Sequence, residues 1–244
     1  VGAYLEELRR RLLGALAGLA VGVAAGGVGA RWLLGLIQTP WRQVMGPDAP
    51  LRMLEVSAGI VTVLKVALVA GIVLSAPWWL YQLWRFAAPA LYRRERRAVV
   101  TAAGASAGLF VAGAVLFLLV FAPYVLRFLL GVGQWLGLEP TIRFQGYVSF
   151  ILTMMLVFGV AFQTPLVVLL LVRLGVVSLR QLHHYRRHVI VALLAAAALL
   201  TPPDVVSQLC LAGPMWLLYE LGILLAWLTG RRKRRDGAEP RSDG

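Results

Sequence analysis

Long runs of apolar residues, separated by short polar segments, dominate this chain. A spanning helix needs about 20 apolar residues, and the four longest runs meet that length. Two further runs are separated by Thr201-Pro202-Pro203-Asp204, which a helix interior cannot accommodate without losing hydrogen bonds. The pattern therefore predicts an all-α fold with six transmembrane helices. The predicted helices comprise residues 12–37, 59–83, 98–122, 147–172, 189–200 and 205–228.

The fifth run is the weakest of the six. Its residues 189–200 would rise only about 18 Å as a helix, against a hydrocarbon core of about 30 Å. We expect this helix to begin earlier, at His188 or Tyr185, or to lie where the bilayer is thinned.

Composition supports an integral membrane protein. The chain is 60% hydrophobic and 14% charged, whereas soluble domains are about 45–50% apolar. Its net charge of +13 does not indicate nucleic-acid binding, because the basic residues lie between apolar runs and not on one water-exposed face. The single cysteine, Cys210, lies within an apolar run, so we expect neither a disulfide framework nor a metal site.

The distribution of basic residues predicts the orientation in the membrane. With six spans both termini lie on one side. Of the 24 lysines and arginines, 18 fall on the side of the termini and 5 on the other, with Lys65 inside the second run. Cytoplasmic segments carry the excess of Lys and Arg, so both termini are predicted to be cytoplasmic. We therefore divide the chain into a membrane domain, 1–230, and a disordered basic cytoplasmic tail, 231–244.

Two polar segments on the cytoplasmic side carry isolated acids. Glu7 lies four residues before Arg11 in an amphipathic N-terminal segment that leads into the first span. The connector 86–97 contains Glu95 among four arginines. Orientation requires no acid there, so Glu95 is a candidate for specific recognition.

These segments belong to a series of motifs that resembles a known family. In chain order, its motifs are Glu7-Leu8-Arg9-Arg10-Arg11-Leu12-Leu13, Ser75-Ala76-Pro77, Trp84-Arg85-Phe86, Pro89-Ala90-Leu91-Tyr92, Glu95-Arg96-Arg97, Thr201-Pro202-Pro203-Asp204, Ser207-Gln208 and Tyr219-Glu220. This series closely resembles the TatC component of the twin-arginine protein translocase over nearly the whole chain, from Leu5 to about Leu228.

The resemblance implies a signal-peptide receptor and translocase core subunit, not an enzyme. TatC-like proteins lie in the bacterial or archaeal cytoplasmic (inner) membrane. They bind the paired arginines of a folded cargo's signal peptide and assemble with single-span TatA/TatB-type partner proteins into an oligomeric translocase. Transport energy would come from the transmembrane proton gradient, and no cofactor is implied.

The resemblance also implies which residues bind the signal peptide. The recognition acids correspond to Glu7 and Glu95, and their neighbours in the same patch are Arg9, Arg11, Phe86, Pro89 and Leu91. The chemistry agrees, because a carboxylate can receive a guanidinium through two parallel hydrogen bonds. Two interpretations of Glu95 remain open. In the first, the surrounding arginines simply neutralise the carboxylate of Glu95. In the second, Arg96 and Arg97 face lipid headgroups, while Glu95 faces the cytoplasm with Glu7.

Polar residues inside the predicted spans are a second group of candidates. Gln163 would lie near the bilayer centre, where a polar side chain normally hydrogen-bonds to another helix. The family commonly has Glu there, so a mechanism that needs protonation at this position is in doubt. Glu220, within the sixth span, is expected to face the protein interior or a partner. We therefore expect Gln163 and Glu220 to contact a partner's helix, although an intramolecular bond of Gln163 is an open alternative.

Other residues receive structural interpretations. Pro77, in its motif, is assigned a structural role, and Asp204 is expected to cap the sixth helix. The stem of Lys65 is expected to extend towards the interface. Glycines at positions 14, 18, 22 and 26 form a stripe that would pack closely on another helix, within the chain or from a partner.

Two alternative functions come from other classes. A small-solute secondary transporter would have its polar site near Gln163 and Glu220, and it should act alone in proteoliposomes. An intramembrane enzyme would need a convergent catalytic set, and none is evident in the sequence.

Overall fold

The protein is described by a computed structural model for residues 2–47, 49–55, 57–91, 96–137, 142–200 and 205–236. Only the backbone is described for residues 2–5, 7, 86–91, 96–99, 200 and 230–236. Within these ranges the fold is almost entirely helical. The α-helices are α1 (Gly2–Val28), α2 (Ala30–Ile37), α3 (Thr39–Met45), α4 (Ala58–Leu74), α5 (Ala76–Leu91), α6 (Arg96–Leu116), α7 (Ala122–Trp135), α8 (Phe144–Ala161), α9 (Thr164–Arg173), α10 (Leu179–His184), α11 (Arg186–Leu200) and α12 (Val205–Asp236).

The first two predicted spans are each divided into two helices. The run 12–37 is interrupted at Gly29, after a glycine-rich stretch in which each glycine weakens a helix by about 1 kcal/mol relative to alanine. The run 59–83 bends by 51° between α4 and α5. At the bend the Ser75 hydroxyl donates to the Gly71 carbonyl at 2.6 Å, and Pro77 supplies no N–H to the first turn of α5.

The third and fourth predicted spans are longer than expected. α6 continues through a π-helical segment, Phe117–Phe121, into α7, so the helical stretch reaches Trp135 and not residue 122. The π-helical segment ends just before Pro123, whose missing N–H disturbs the regular hydrogen bonding. α8 and α9 together form the stretch Phe144–Arg173, with a break at Phe162 and Gln163 just before Pro165.

The fifth predicted span is the short one. α11 has 15 residues and begins at Arg186, so it rises about 22 Å. Within the described ranges, four helical stretches are long and apolar enough to cross a membrane, and the bent pair α4–α5 makes a fifth when it is counted as one span. These are the properties of a multi-pass membrane protein. Six spans, as well as the disorder of the tail 231–244, stay predictions; α12 passes the predicted boundary at residue 230 and ends at Asp236.

Helices α1, α4 and α5 define two ends of the molecule. α1 packs antiparallel to the α4–α5 pair, because Gly26 lies against Ala67, Gly22 against Gly71, and Gly14 against Gln82. We call the end at which α1 begins the terminal end. The opposite end, where α3 and α7 end and where α4 and α8 begin, is the loop end; a backbone bridge between Arg52 and Arg143 joins the two connecting segments there.

Glycines provide the closest helix contacts. A Cβ at Gly22 would lie 2.6 Å from the Gly71 carbonyl oxygen, and a Cβ at Gly71 would lie 2.6 Å from the Val23 nitrogen. Apolar burial alone does not drive helices together in lipid, so such close backbone approach supplies much of the packing attraction. The predicted glycine stripe of α1 is therefore a packing face, and its partners lie within the chain.

The surface agrees with a lipid surrounding. Val28, Leu199 and Trp135 are 91%, 87% and 84% exposed, whereas Phe110, Phe117 and Phe158 are almost completely buried. The main core joins α8 to the π-helical segment and to α2, α3, α4, α7, α11 and α12. Hence large apolar side chains occupy both the interior and the periphery, as expected for helices in a bilayer.

Candidate functional site

The terminal end brings the beginning of α1 next to the second half of α5. The indole N–H of Trp78 donates to the Gly14 carbonyl at 2.8 Å, and Gln82 packs against Gly14. Because the two helices are antiparallel, the residues before Gly14 lie beside the residues after Gln82. α5 ends at Leu91 and α6 begins at Arg96, so this junction lies at the same end as the start of α1.

An apolar cavity lies between α1 and α5 at this end. It has a volume of about 230 Å³. Leu12 and Leu83 at its wall are 57% and 55% exposed, and among the side chains that the structure describes, the half-buried Arg11 is the only charged one that lines it. Its lining comprises Leu8, Arg11, Leu12, Ala15, Trp79, Gln82 and Leu83. The cavity can accept an apolar side chain close to a charged rim.

The residues predicted to bind a signal peptide lie on the same two helices as this cavity, wherever the structure describes them. Arg9 is exposed and Arg11 is half-buried on α1. Glu7 lies on α1 one turn before Arg11, but only its backbone is described. The same holds for Phe86, Pro89 and Leu91 on the last turns of α5. Glu95 lies outside the described residues, so its predicted convergence with Glu7 stays a prediction.

A partly exposed ion pair lies elsewhere at the terminal end. Arg186, at the start of α11, donates to Glu220 Oε2 on α12 at 2.6 Å. The second carboxylate oxygen, Oε1, is buried and has no hydrogen-bond partner within the described part of the chain. The adjacent Tyr219 hydroxyl donates to the Leu182 carbonyl at 2.9 Å, which holds α10 against α12. The sequence predicted that Glu220 faces the protein interior or a partner, but it did not identify Arg186 as its partner.

Gln163 makes its hydrogen bonds within the chain. It lies at the break between α8 and α9, where its side-chain N–H donates to the Ser106 carbonyl at 3.0 Å. Its side-chain oxygen accepts from the Ser106 hydroxyl on α6. The intramolecular alternative for Gln163 is therefore what the structure contains. These bonds lead to α6, whereas the ion pair of Glu220 leads to α11, so the two residues make polar contacts with different helices.

Of the two residues with a predicted structural role, Pro77 and Asp204, the structure describes only Pro77. Pro77 is exposed in the first turn of α5, directly after the 51° bend. Asp204 lies outside the described residues. Its neighbour in the same motif, Gln208, donates from its side chain to the Leu194 carbonyl at 3.0 Å and so joins α12 to α11. No group of three or more His, Cys, Asp or Glu that could hold a metal occurs among the described residues.

Comparisons with known proteins agree on one family. The family model for the Sec-independent protein translocase protein (TatC) matches residues 3–214. The chain is similar to TatC of Aquifex aeolicus, with 33% identity over 232 residues that cover 95% of this chain and 96% of the relative. It is 32% identical to TatC of Escherichia coli K12 over 234 residues, which cover 96% and 90%. A crystal structure of the twin-arginine translocase receptor TatC matches with a TM-score of 0.83 and 33% identity, over 91% of this chain and 99% of that one.

Proposed function

Because this chain belongs to the TatC family of Sec-independent protein translocase proteins, we propose that it is a receptor for twin-arginine signal peptides. The chain is a multi-pass membrane subunit of a protein translocase, and its family is one of transport subunits. In the proposed role it captures the signal peptide of a folded cargo protein and forms the core on which the translocase assembles. It catalyses no chemical reaction.

The observation that carries this proposal is the meeting of two distant segments at the terminal end. The start of α1, which bears Glu7, lies at the same end as the junction between α5 and α6, which precedes Arg96. The proposed site consists of carboxylates from these two segments. Each carboxylate would receive one guanidinium of the signal peptide through charge-assisted hydrogen bonds.

The basic surroundings of the two acids favour selectivity. Arg9 is exposed and Arg11 half-buried near Glu7, and four arginines surround Glu95 in the sequence. A cationic peptide is repelled by such a rim unless its charges reach the two carboxylates together. Paired arginines satisfy this condition better than lysines, because each guanidinium can bind a carboxylate through two parallel hydrogen bonds.

The apolar cavity provides a place for the rest of the signal. It begins at Leu8, one residue after Glu7, and extends to Leu83 on α5. We propose that an apolar residue following the paired arginines fills this cavity. Phe86, Pro89 and Leu91 would line the same patch further along α5.

We also propose the remaining features of the topology. Six helices cross the cytoplasmic membrane of the cell, and both termini lie in the cytoplasm, since the basic residues are concentrated on the side of the termini. Residues 1–230 form the membrane domain, and the basic tail 231–244 lies against anionic lipid.

The proposed partners are single-span TatA/TatB-type proteins in an oligomeric translocase. Glu220 is a candidate contact, because its buried Oε1 can still accept a hydrogen bond from a neighbouring helix. Gln163 would need to exchange or share its bonds to Ser106 to do the same. The proposal takes the driving force for export from the transmembrane proton gradient. Gln163 has no titratable proton, so the gradient cannot act through that side chain.

Binding of a fluorescent twin-arginine peptide to the purified full-length protein tests the receptor proposal. We expect Glu7→Ala and Glu95→Ala each to weaken binding by about tenfold or more, because each removes one acceptor of a charge-assisted pair. The matched control is Glu6→Ala, which removes an exposed acid of the same segment and should leave binding nearly unchanged. A twin-lysine peptide serves as the ligand control. Unchanged binding in both Glu7→Ala and Glu95→Ala would remove the proposed site.

A further inference from the structure

A polar cavity lies at the loop end, on the opposite side from the proposed signal-peptide site. It has a volume of about 270 Å³ and is lined by loop 52–55, the beginning of α4 and the beginning of α8. Among the residues that the structure describes, its charged ones are Arg52, Glu55, Lys65 and Arg143. Three positive charges against one negative leave a formal net charge of +2. Only five arginines are predicted on this side besides Lys65, so their convergence is not a result of abundance.

The backbone holds two of these arginines together. Arg52 donates its N–H to the Ile142 carbonyl at 3.4 Å, and the Phe144 N–H donates to the Arg52 carbonyl at 3.0 Å. This bridge joins two loops that are about 90 residues apart in the chain. Arg143 is also the residue that precedes α8, so its position is set by the start of that helix.

Lys65 completes the cavity from within the bilayer region. It lies seven residues into α4, about 10 Å along the helix from its first residue. Its ammonium group donates to the Ser149 hydroxyl on α8 at 2.8 Å. An ammonium group has three donors, so this bond leaves two that can point to a ligand. A lysine this far into an apolar helix is costly unless it has polar partners or an anion.

The first turn of α8 adds to the attraction for an anion. Gln145 and Gly146 line the cavity, and the N–H groups of a first helical turn have no acceptor within the helix. The N-terminal end of a helix also carries a partial positive charge. Three cationic side chains and the start of α8 therefore line one small cavity. The carboxylate of Glu55 is the opposing negative charge.

We propose that this cavity binds the phosphodiester of an anionic phospholipid headgroup. The choice of a lipid follows from the neighbouring surface: Leu64 and Leu68 flank Lys65 on α4 and are 64% and 50% exposed. Acyl chains can lie along this apolar face while the phosphate reaches Lys65, Arg52 and Arg143. A volume of about 270 Å³ suits a headgroup but not a whole lipid, whose chains must lie outside.

Native mass spectrometry of the full-length protein in detergent tests the proposal, with phosphatidylglycerol as the probe and phosphatidylcholine as the neutral reference. We expect selective retention of phosphatidylglycerol. Lys65→Gln and Arg143→Gln should each lower its retention by about tenfold, since each removes a charge-assisted bond. Glu55→Gln should raise retention several-fold, because it removes the opposing charge. Damage to folding cannot produce that gain.

The control variant is Arg127→Gln, which removes an exposed arginine that is also predicted on this side but does not line the cavity. Its retention of phosphatidylglycerol should equal that of the unmodified protein. An equal loss in Arg127→Gln and Lys65→Gln, or no change in Lys65→Gln, Arg143→Gln and Glu55→Gln, would overturn the proposal.

Two competition arms identify the source of the anion. Inorganic phosphate and glycerophosphoglycerol lack acyl chains and should displace the lipid only at far higher concentration. An Asp- and Glu-rich peptide should not displace it. Displacement by either class at concentrations comparable to that of the lipid would overturn the lipid assignment in favour of a soluble anion or a protein partner. Binding of a twin-arginine peptide is a separate measurement, so failure of this site is distinguishable from failure of the receptor proposal.

Discussion

Basic residues are abundant on the side assigned to the terminal end and sparse on the side of the loop end. At the terminal end they are spread over four segments of sequence, and the candidate acids there are Glu7, Glu95 and Glu220. At the loop end, Arg52, Arg143 and Lys65 converge on one cavity. The number of charges and their convergence therefore carry separate information. Number predicts orientation in the membrane, whereas convergence of like charges on one cavity predicts a binding site.

The largest expected effect on stability comes from a substitution that separates α1 from α4. Gly71→Leu puts a side chain where a Cβ alone would lie 2.6 Å from the Val23 nitrogen. We expect a loss of about 3 kcal/mol or more, because backbone atoms cannot give way as a flexible side chain does. Peptide binding and lipid retention should fall together.

Thermal unfolding of the purified protein in detergent measures this loss. The matched control is Gly108→Leu on α6, where an added Cβ meets nothing within 4 Å. If Gly71→Leu were as stable as Gly108→Leu, the close approach of α1 and α4 would be wrong.

Charge reversals at each end should act independently. Glu95→Arg is expected to weaken binding of a twin-arginine peptide by about 100-fold, since an attraction becomes a repulsion. Arg143→Glu should weaken retention of phosphatidylglycerol by a similar factor. Each variant should leave the other ligand unaffected. Measurement of both ligands on both variants checks this, and a loss of both ligands in one variant would contradict two separate sites.

The smallest effect is expected at the ion pair between α11 and α12. Arg186→Gln leaves the partly buried Glu220 carboxylate without its cation, and we expect a loss of about 1–2 kcal/mol because Arg186 is 45% exposed and thus partly screened. The double variant Arg186→Gln/Glu220→Gln should recover most of this loss, since the uncompensated charge is removed. Thermal unfolding of the three proteins checks the difference. A double variant less stable than Arg186→Gln alone would contradict the role of the ion pair.

The apolar runs predicted the helices well but not their interruptions. An apolar run shows where the chain is apolar enough to lie in lipid. A bend depends instead on which donors satisfy the backbone carbonyls that lose their helical hydrogen bonds. The bend at Ser75 and the break at Gln163 both precede prolines that were visible in the sequence. The π-helical segment before Pro123 has the same origin. Proline within an apolar run was therefore the available signal, and it was not applied at these three places.

Polar contacts between distant residues were beyond prediction from the sequence. Lys65 and Ser149 are 84 residues apart, and Arg186 and Glu220 are 34 residues apart. Helical periodicity tells which side chains share a face of one helix, but not which helix that face meets. Hence Glu220 could be predicted to point inwards, while its partner Arg186 could not be named. The cavity at the loop end was missed for the same reason, because its charges come from three separate segments.

The contact between Gly22 of α1 and Gly71 of α4 has a mechanical consequence. Backbone meets backbone there without an intervening side chain, so neither a lipid tail nor a water molecule can enter between the two helices. α1 and α4 should therefore move as one rigid unit. Any rearrangement during passage of a cargo would then be taken up at joints such as the bend at Ser75, where α5 can swing while α1 and α4 stay locked.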